Sequence, residues 1–473
     1  MIWSRKAVWT GVEPREGKFK IMQMPLNVGP LHFVGMGGIG MSAIAEILLD
    51  LGYQVQGSDL NSGANIQRLK AKGAKAFVGH RAENIDGAGV VVVSSAIAHD
   101  NPELVAAREL NKPIILRAEM LGELMRLKSS IAIAGTHGKT TTTSLLASLL
   151  VAGKLDPTVI NGGVIEAFSS NARMGAGDWL VAEADESDGS FIRLPAEVGV
   201  VTNIDPEHME NYNGFSGLMG SFRQFVSQLP FYGFALLGID HPNVAKLYKS
   251  LREGGGLENK RILTYGVAEG ADFQLINCEP GRGEVHFDVR LSSMVREGAG
   301  EIRDFRLMLP GDYNALNAVA AIGVAHELGV GAADLRQGIA DFKGVKRRFT
   351  HIAQAGDVQF YDDYAHHPVE ISSVLKAAAA TTENRVVAVM QPHRFTRLKC
   401  HFEDFAGPKP DYKVTWLRSF PQERREILLT LNIQNLASIL RKFRTKRLVI
   451  KALQWRLTRR INWCGDDKIS IFK

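Results

Sequence analysis

Cysteine is scarce in this chain of 473 residues, which contains only Cys278, Cys400 and Cys464. Three widely spaced cysteines argue against a disulfide framework and against a metal knuckle, because both need cysteines in sets at short intervals. Apolar runs of about 18 residues are lacking, so no segment is predicted to span a membrane. Residues 1–24 carry five Lys and Arg but no apolar signal-peptide core, and we interpret them as an N-terminal extension. Together these absences predict a cytoplasmic protein.

An excess of positive charge is also lacking over most of the chain, although the sequence pI is 9.1. Residues 407–473 hold 16 Lys and Arg against 5 Asp and Glu, whereas residues 1–406 hold 40 against 45. The basic character therefore belongs to the last 67 residues. It gives no reason to expect nucleic-acid binding by the main body. The length predicts about three domains.

The most specific motif present is AGTHGKTTT at residues 134–142, between an apolar run and a helical segment. A strand, a glycine loop, Gly-Lys-Thr and a helix form the arrangement that binds the phosphates of ATP. In this arrangement Lys139 neutralises the β and γ phosphates, and the Thr140 hydroxyl can hold Mg²⁺. The loop is shorter than the common form, since Ile133 stands where that form has glycine. The alternative is a glycine-rich turn without a ligand, and ATP binding is favoured over it.

A second glycine motif, GMGGIG at residues 35–40, lies between a predicted strand and a predicted helix. Asp59 follows Gly40 by 19 residues, about where a ribose-binding carboxylate is expected. By itself this motif suggests a dinucleotide-binding domain, and the signal is weak. Alternating strands and helices continue to about residue 127, and two further such units begin at the phosphate loop and after Gly344. We therefore predict an α/β fold with parallel sheets.

Two clusters of acids follow apolar strands, EADESD at residues 183–188 and NIDPEHME at residues 203–210. Acids at the carboxyl ends of parallel strands meet where α/β proteins bind their ligands. Carboxylates there are suited to hold Mg²⁺ that bridges ATP oxygens, and His208 is a further candidate ligand. The alternatives are a solvated acidic loop and a surface histidine. Because both clusters follow the phosphate loop, we favour a two-metal phosphoryl site.

Four further groups have two interpretations each. Asn314 and Asn317 lie one helical turn apart and can contact a heterocycle, or Asn314 caps the helix. The basic run at residues 346–348 can reach a phosphate or is a solvated linker. The histidines in DDYAHHP at residues 362–368 can bind metal, although a turn before a proline-started helix is the safer description. Arg394 and Arg397 suit a substrate carboxylate or are exposed helix residues.

These motifs, in this order, resemble the Mur ligase family, the ATP-dependent amide-forming enzymes of peptidoglycan precursor synthesis. The residues that carry the resemblance are 35–42, 135–141, 183–188, 203–208, 314–317, 345–349, 362–368 and 391–394. It covers residues 27–406 and implies three domains. These are a Rossmann-like UDP-sugar-binding domain over 25–128, a central P-loop ATPase over 129–340, and the start of a C-terminal Rossmann-like domain over 341–406.

Within the family, the motifs match best the members that join L-alanine to UDP-N-acetylmuramate, with ATP as co-substrate and Mg²⁺. The nearest alternative is ligation of a whole peptide to the same sugar. The implied reaction has two steps: the sugar carboxylate attacks the ATP γ-phosphate, and the alanine amine then attacks the resulting acyl phosphate. We expect a monomer or a weak homodimer.

The resemblance also implies site residues, transferred motif by motif. The implied catalytic group is Lys139, Glu183, His208 and Arg348. The implied ATP-binding group is Gly135, Thr136, His137, Gly138, Lys139, Thr140, Thr141, Asn314, Asn317, Arg348 and Asp363, with Asp363 on the ribose. The implied magnesium ligands are Thr140, Glu183 and His208. The implied UDP-sugar-binding group is Gly35, Gly37, Gly38, Gly40, Met41, Ser42 and Asp59, and the implied amino-acid-binding group is His393, Arg394 and Arg397.

The basic tail over residues 407–473 departs from this pattern, and the basic run at 441–447 has no place in it. One hypothesis is a frameshift that replaced the native end, which would leave the third sheet incomplete and the product impaired. The other is a genuine basic appendage that binds acidic partners or a membrane surface. Two other function classes remain, an NAD-dependent oxidoreductase and a nucleotide-binding protein without activity. The first leaves the phosphate loop and both acid clusters unexplained.

Overall fold

The computed structural model describes most of the chain up to residue 390 and parts of the remainder. The described residues are 24, 28–253, 260–355, 358–383, 385–390, 397, 401 and 404, and the strands Leu417–Arg418, Arg447–Ala452, Ile461–Cys464 and Lys468–Ile471. Within these ranges, no helix has both the length and the apolar character that a bilayer crossing needs.

The first sheet is wholly parallel and has the strand order β3-β2-β1-β4-β5. Its strands are β1 (Leu31–Val34), β2 (Val55–Asp59), β3 (Lys75–Val78), β4 (Val90–Val93) and β5 (Ile114–Leu116). The connecting helices are α1 (Ile39–Asp50), α2 (Ala64–Ala71), α3 (Pro102–Glu109) and α4 (Arg117–Met125). All four residues of β1 are buried, as expected for a central parallel strand covered on both faces. The predicted Rossmann-like unit is confirmed.

The central sheet has ten strands in the order β15-β14-β13-β12-β11-β10-β6-β9-β7-β8. The first seven are β6 (Ser129–Ala134), β7 (Thr158–Ile165), β8 (Ser170–Arg173), β9 (Trp179–Glu183), β10 (Val198–Val201), β11 (Phe234–Gly238) and β12 (Arg261–Gly266). The last three are β13 (Phe273–Pro280), β14 (Val285–Leu291) and β15 (Gly300–Leu307). Strands β7 and β9–β13 are joined to β6 through parallel pairings, whereas β8, β14 and β15 extend the two edges in antiparallel pairs.

Five helices accompany the central sheet: α5 (Lys139–Ala152), α6 (Gly214–Gln228), α7 (Pro242–Glu253), α8 (Asp312–Glu327) and α9 (Ala332–Ala340). Helix α5 packs against α8 and α9. Their apolar residues share one buried core with β6 and β10, to which Leu146, Leu149 and Ile322 contribute. This packing fixes the start of α5 relative to the carboxyl ends of β6, β9 and β10, which is where the acid clusters emerge.

The third sheet has the order β16-β17-β20-β18-β19. It contains β16 (Thr350–Ala355), β17 (Val358–Asp362), β18 (Arg385–Met390), β19 (Leu417–Arg418) and β20 (Arg447–Ala452), with helix α10 (Pro368–Thr381) between β17 and β18. Strand β20 pairs in parallel with both β17 and β18. Our expectation that the basic run at 441–447 has no place in this domain is therefore wrong at Arg447, which begins a central strand.

Two further strands, β21 (Ile461–Cys464) and β22 (Lys468–Ile471), form an antiparallel pair of their own. The helix that was predicted after the phosphate loop begins within the motif, at Lys139. The reason is that Gly138 provides the helix N-cap in a left-handed conformation, so the Gly-Lys-Thr motif itself forms the first turn.

Candidate active site

The phosphate loop joins β6 to α5 and depends on two glycines with positive φ, Gly135 at 129° and Gly138 at 83°. A Cβ at Gly135 would lie 2.0 Å from the Thr202 hydroxyl, and one at Gly138 would lie 2.5 Å from the Asn317 side-chain oxygen. Only glycine fits both the conformation and the space. The loop is thus held closely between the end of β10 and helix α8.

Lys139 is the first residue of α5, and its ammonium group folds back over the loop. Nζ donates to the carbonyls of Gly135 at 2.5 Å and Thr136 at 3.1 Å, and to Glu186 Oε2 at 2.6 Å. Although burial alone lowers it, the pKa of Lys139 is raised by the surrounding carboxylates, Glu186 above all. The ammonium is therefore charged and held at the mouth of the loop, where a phosphate is expected.

Glu186, the ion-pair partner of Lys139, belongs to the first acid cluster, but the sequence motifs did not identify it as a site residue. Burial and the charge of Asp185 raise the pKa of Glu186 to about 7, even though Lys139 acts to lower it. Its neighbour Asp185 has the opposite environment, because Arg117 and Lys139 outweigh burial and lower the pKa of Asp185 to about 2. The two pKa values differ because Asp185, rather than Glu186, forms the ion pair with Arg117.

Thr140 and Glu183 are brought into direct contact, as expected for a magnesium site. The Thr140 hydroxyl donates to Glu183 Oε2 at 2.9 Å, and the Gly162 amide donates to the same oxygen at 2.9 Å. A hydroxyl and a carboxylate oxygen are hard ligands of the kind that Mg²⁺ shares with phosphate oxygens and water, so these two residues fit the ion. Among the described residues, no set of three or more His, Cys, Asp and Glu is grouped as a complete protein cage.

His208, the third predicted ligand, lies at the start of a short 3₁₀ turn with φ of 55°. Its Nε2 is 4.0 Å from Glu207 Oε1. Glu207 in turn forms a close ion pair with Arg397, a side chain that is only 5% exposed. The interpretation of Arg397 as an exposed helix residue is therefore wrong. His393 and Arg394, the other predicted amino-acid-binding residues, lie outside the described residues.

His137, in the middle of the loop, is held between carboxylates of two domains. Its Nε2 lies 3.1 Å from Asp205 Oδ2 of the central domain, and its Nδ1 lies 3.0 Å from Glu370 Oε1 of helix α10. Although burial opposes it, these two acids raise the pKa of His137 to about 9. Sequence reasoning missed Glu370, and the available signal was its place three residues after His367 in a capping box.

The turn before α10 has the structural form that we preferred over a metal site. Pro368 is the first residue of the helix, and the His367 side chain accepts from the Val369 amide at 3.3 Å. The His366 ring contacts the Tyr364 carbonyl, 2.8 Å from Nδ1. Both histidines are engaged locally, which agrees with a proline-started helix and its N-cap.

Arg348 reaches the same loop from the junction between the central and third domains. Its Nη2 is 3.5 Å from the Thr140 hydroxyl, so the interpretation as a solvated linker is wrong for this residue. Asp363 is buried nearby and accepts the amides of Phe349 at 2.8 Å and Ala365 at 2.6 Å. The structure thus places the guanidinium of Arg348 beside the Thr140–Glu183 pair.

The two asparagines of α8 behave differently from each other. Asn317 Oδ1 accepts from the Thr142 hydroxyl at 3.3 Å and lies beneath the loop at Gly138. Asn314 donates to the Pro310 carbonyl at 2.8 Å. The alternative in which Asn314 caps the helix is wrong, because Gly311 is the N-cap residue.

The glycine motif of the first domain forms a tight turn between β1 and α1, with φ of 79° at Gly35. The Gly37 amide donates to Asp59 Oδ2 at 2.9 Å, so the predicted carboxylate does lie at the loop. In the same motif Met41 is buried, and the Ser42 hydroxyl donates to the Ile39 carbonyl at 3.0 Å. Arg117, packed at Gly40, forms an ion pair with Asp185 at 3.0 Å. This ion pair connects the turn to the first acid cluster.

Three family models match this chain one after another. The Mur ligase family catalytic domain matches residues 30–129, the Mur ligase middle domain matches 133–325, and the Mur ligase glutamate ligase domain matches 347–450. The third match runs past residue 406 into the basic segment. It ends within strand β20, which agrees with the place of that strand in the third sheet.

Known proteins resemble the chain over most of its length. A UDP-N-acetylmuramate–L-alanine ligase of Brucella anthropi is 57% identical over 386 residues, covering 82% of this chain and 81% of the relative. One of Nitrobacter hamburgensis is 56% identical over 384 residues, or 81% of each.

Solved structures also resemble this chain over most of its length. A UDP-N-acetylmuramate–alanine ligase from Thermotoga maritima is 26% identical with a TM-score of 0.70, covering 89% of this chain and 95% of that one. A murein peptide ligase from Psychrobacter arcticus shares the fold at 20% identity and a TM-score of 0.66, covering 90% and 95%. With three consecutive domain matches and a relative at 57% identity, the chain belongs to the Mur ligase family.

Proposed function

We propose that this protein joins L-alanine to UDP-N-acetylmuramate at the expense of ATP, in peptidoglycan precursor synthesis. One observation carries the proposal: Lys139, the Thr140–Glu183 pair and Arg348 converge on one phosphate loop in a chain 57% identical to a ligase of that name. The reaction has two steps. The sugar carboxylate takes the γ-phosphoryl group of ATP and ADP is released, and the alanine amine then attacks the acyl carbon, forming the amide and displacing phosphate.

Lys139 would stabilise the charge of the transferring phosphoryl group. Its ammonium is charged and buried, and Glu186 is its anionic partner at 2.6 Å. A phosphate oxygen would take over this role when ATP binds, because the loop and the first turn of α5 supply amide donors around the same point. Glu186, with a pKa of about 7, can take up a proton at that moment at little cost.

Thr140 and Glu183 would hold the first magnesium ion, and His208 is proposed for a second. Bound Mg²⁺ would neutralise charge on the phosphate oxygens as the phosphoryl group moves. Arg348 would add a positive charge to the γ-phosphate from the third domain. Asn314 and Asn317 are proposed to meet the adenine.

The remaining site residues belong to the same proposal. Gly35, Gly37, Gly38, Gly40, Met41, Ser42 and Asp59 would bind the UDP-sugar, with the diphosphate on the amides at the start of α1. His393, Arg394 and Arg397 would bind the amino acid. Closure of the third domain would exclude water, which would otherwise hydrolyse the acyl phosphate.

Three further expectations are part of the proposal. The domain divisions at residues 24, 128, 340 and 406 are our boundaries for truncation experiments. A cytoplasmic location follows from the need for ATP and a nucleotide sugar. We expect a monomer or weak homodimer, which sedimentation over a range of protein concentrations measures.

The test is phosphate release from ATP by the purified full chain, together with mass spectrometry of the nucleotide-sugar product. We expect release only when UDP-N-acetylmuramate and an amino acid are both present, and L-alanine to exceed L-serine and glycine. Replacing L-alanine with a peptide tests the alternative in which a whole peptide is ligated to the same sugar. Release without incorporation of an amino acid or peptide into the sugar would contradict the proposal, as would preference for a peptide.

A further inference from the structure

The two acid clusters emerge from strands that do not pair with each other. Glu183 ends β9 and His208 follows β10, and both strands pair with β6, which lies between them in the central sheet. Neighbouring strands are about 4.8 Å apart, so β9 and β10 are about 10 Å apart. Two metal ions that act on one phosphoryl group lie about 3.5–4 Å apart. The sheet alone therefore does not bring the two proposed magnesium ligands together, and the loops after the strands decide how close they lie.

The beginning of each loop is held by the phosphate loop. In the loop after β10, the Asp205 amide donates to the Thr136 hydroxyl at 2.9 Å. In the loop after β9, Glu186 is ion-paired with Lys139 at 2.6 Å. These contacts act near the strand ends, whereas His208 lies three residues beyond Asp205. Another contact has to fix the part of the second loop that carries His208.

His208 itself has a backbone conformation that needs support. Its φ is 55°, in the left-handed region that residues with a side chain adopt uncommonly. Such a conformation persists only where the surrounding contacts hold it. The Asn211 amide donates to the His208 carbonyl at 3.0 Å, which closes a short 3₁₀ turn over residues 209–211. The position of His208 thus depends on what holds the end of this turn.

Tyr212 and Asn211 hold the end of the turn against the first acid cluster. The Tyr212 hydroxyl donates to the Glu186 carbonyl, and the Asn211 Nδ2 donates to the Ser187 carbonyl at 2.7 Å. The Tyr212 ring is partly buried and packs against the apolar core. Burial and the charge of Glu186 raise the pKa of Tyr212, so its hydroxyl keeps the proton that it donates. These two hydrogen bonds join the loop after β10 to the loop after β9.

We propose that Tyr212 is a positioning residue: its hydrogen bond to the Glu186 carbonyl joins the two loops and thereby sets the distance between Glu183 and His208. Asn211 supports it from the same turn. The inference rests on the proposed function only in that Glu183 and His208 bind magnesium. Loss of the Tyr212 bond should weaken the ion at His208, which lies in a loop, more than the ion at Glu183, which belongs to a strand.

The first experiment counts bound ions and does not need turnover. Mn²⁺ accepts the oxygen ligands of Mg²⁺ and is paramagnetic, so the resonance of free Mn²⁺ reports how much is bound. The full chain and Tyr212→Phe are titrated with Mn²⁺ in the presence of β,γ-methylene-ATP and UDP-N-acetylmuramate. We expect two ions in both proteins, the tighter with the same Kd and the weaker with a Kd about fivefold higher in Tyr212→Phe. A single ion in the parent, or a ratio of the two Kd values that the substitution leaves unchanged, would overturn the proposal.

The second experiment follows phosphate release over a series of Mg²⁺ concentrations. We expect Tyr212→Phe to raise the Mg²⁺ concentration for half-maximal release about fivefold, and to keep kcat at saturating Mg²⁺ within about threefold of the parent. A purely structural role predicts a lower kcat at every Mg²⁺ concentration with an unchanged midpoint, and that result would contradict the inference. Tyr248→Phe is the matched control, because Tyr248 of α7 packs against the same core, and it should keep the parental midpoint.

Asn211→Ala takes over both experiments if Tyr212→Phe does not fold. Asn211 is exposed, so its substitution removes the bond to Ser187 with little effect on the core. We expect a weaker second ion in this variant as well, and an unchanged ratio of the two Kd values would again overturn the proposal. If the unsubstituted chain binds two ions but releases no phosphate with UDP-N-acetylmuramate and L-alanine, the proposed function fails, while the Kd ratio still decides the role of Tyr212.

Discussion

His137 Nδ1 lies 3.0 Å from Glu370 Oε1, so the phosphate loop of the central domain is ion-paired with the first turn of α10 in the third domain. The other ring nitrogen of His137 faces Asp205 at 3.1 Å. A charged imidazole between two carboxylates connects the central domain to the third domain. The strength of this connection depends on the proton of His137.

We expect the docking of the third domain to weaken in alkaline solution. The folded pKa of His137 is about 9, above the ordinary value of 6.5. A raised histidine pKa gives stability that is complete below about pH 6.5 and is lost as the pH rises through 9. At 1.36 kcal/mol for each pKa unit, the contribution is about 3 kcal/mol. His137→Gln should remove this part of the pH dependence, measured as protease cleavage near residues 341–349 and as thermal unfolding.

A matched control for that experiment is His286→Gln. His286 also faces a glutamate, Glu284 at 3.0 Å, but it is half exposed on the central sheet. Solvent screens this pair, so the pH profile of the control should follow that of the parent. Identical profiles for His137→Gln and the parent would refute the role of His137.

Lys139→Ala should abolish ATP turnover, with kcat at least about 10³-fold lower, because the phosphoryl group loses its buried cation. The substitution also leaves the Glu186 carboxylate buried without its ion pair. Without Lys139 the pKa of Glu186 rises further, so we expect stability to fall as the pH rises above the ordinary glutamate value of 4.5, and to be lower at pH 8 than at pH 5. Phosphate release and thermal unfolding measure the two effects. Lys249→Ala, on the exposed face of α7, is the control, and full activity of Lys139→Ala would contradict the site.

Asn171→Ala should weaken binding of the UDP-sugar about tenfold without changing the affinity for ATP. Asn171 belongs to β8 of the central domain and is fully buried. Its Nδ2 donates to the Ile39 carbonyl of the first glycine turn at 2.5 Å, and its Oδ1 accepts from Arg68 at 2.7 Å. The Ile39 carbonyl keeps the Ser42 hydroxyl and Arg68 keeps its ion pair with Glu46, so the cost is that of the hydrogen bonds that fix the turn against the central domain, about 1 kcal/mol.

Calorimetry with each substrate separately checks the Asn171 prediction. Gln337→Ala removes an exposed amide that donates to Asp341 at 2.8 Å, and it should leave both affinities unchanged. Equal losses for ATP and the UDP-sugar in Asn171→Ala would mean a general loss of structure instead.

Glu103→Gln should lower the free energy of unfolding by about 2–3 kcal/mol. The carboxylate has no exposure and lies 3.2 Å from His32 and 2.6 Å from the Ser58 hydroxyl. Although burial opposes it, hydrogen bonds from His32, Asn84 and Ser58 lower the pKa of Glu103. Its stabilisation is therefore present above about pH 4.5 and lost as the pH falls further. Urea unfolding at pH 7 and pH 4 measures this, with the exposed Glu83→Gln as control. An equal loss at both pH values would contradict it.

Motif spacing was informative where the chemistry is local. Lys139 and Thr140 follow a glycine loop within one turn of helix, so their relation to a phosphate depends on a few adjacent residues. The same holds for Pro368 and His367, whose capping geometry follows from neighbouring residue types. The order of strands and helices was predictable for the same reason, since the spacing of apolar residues and the turn residues that end each element are local properties of the sequence.

Contacts between distant segments were not predictable in this way. Arg397 reads as an exposed helix residue, yet it is buried against Glu207, 190 residues earlier. The run at 441–447 looked as if it had no place in the third domain, yet Arg447 begins a strand between β17 and β18. In each case the partner comes from another part of the chain, and composition carries no information about it.

The amino-acid sequence by itself determined the α/β alternation and the phosphate loop, because glycine loops and strand-end acids are short patterns with few physical alternatives, and the order of its motifs gave the resemblance to the Mur ligase family. Only the tertiary structure decided the partner of each charge. Glu186 faces Lys139, Glu370 faces His137, and Asp363 accepts a hydrogen bond from the Phe349 amide next to Arg348. Those pairings depend on how segments distant in the chain pack together, and burial together with the facing charges then sets the pKa of each ionisable group.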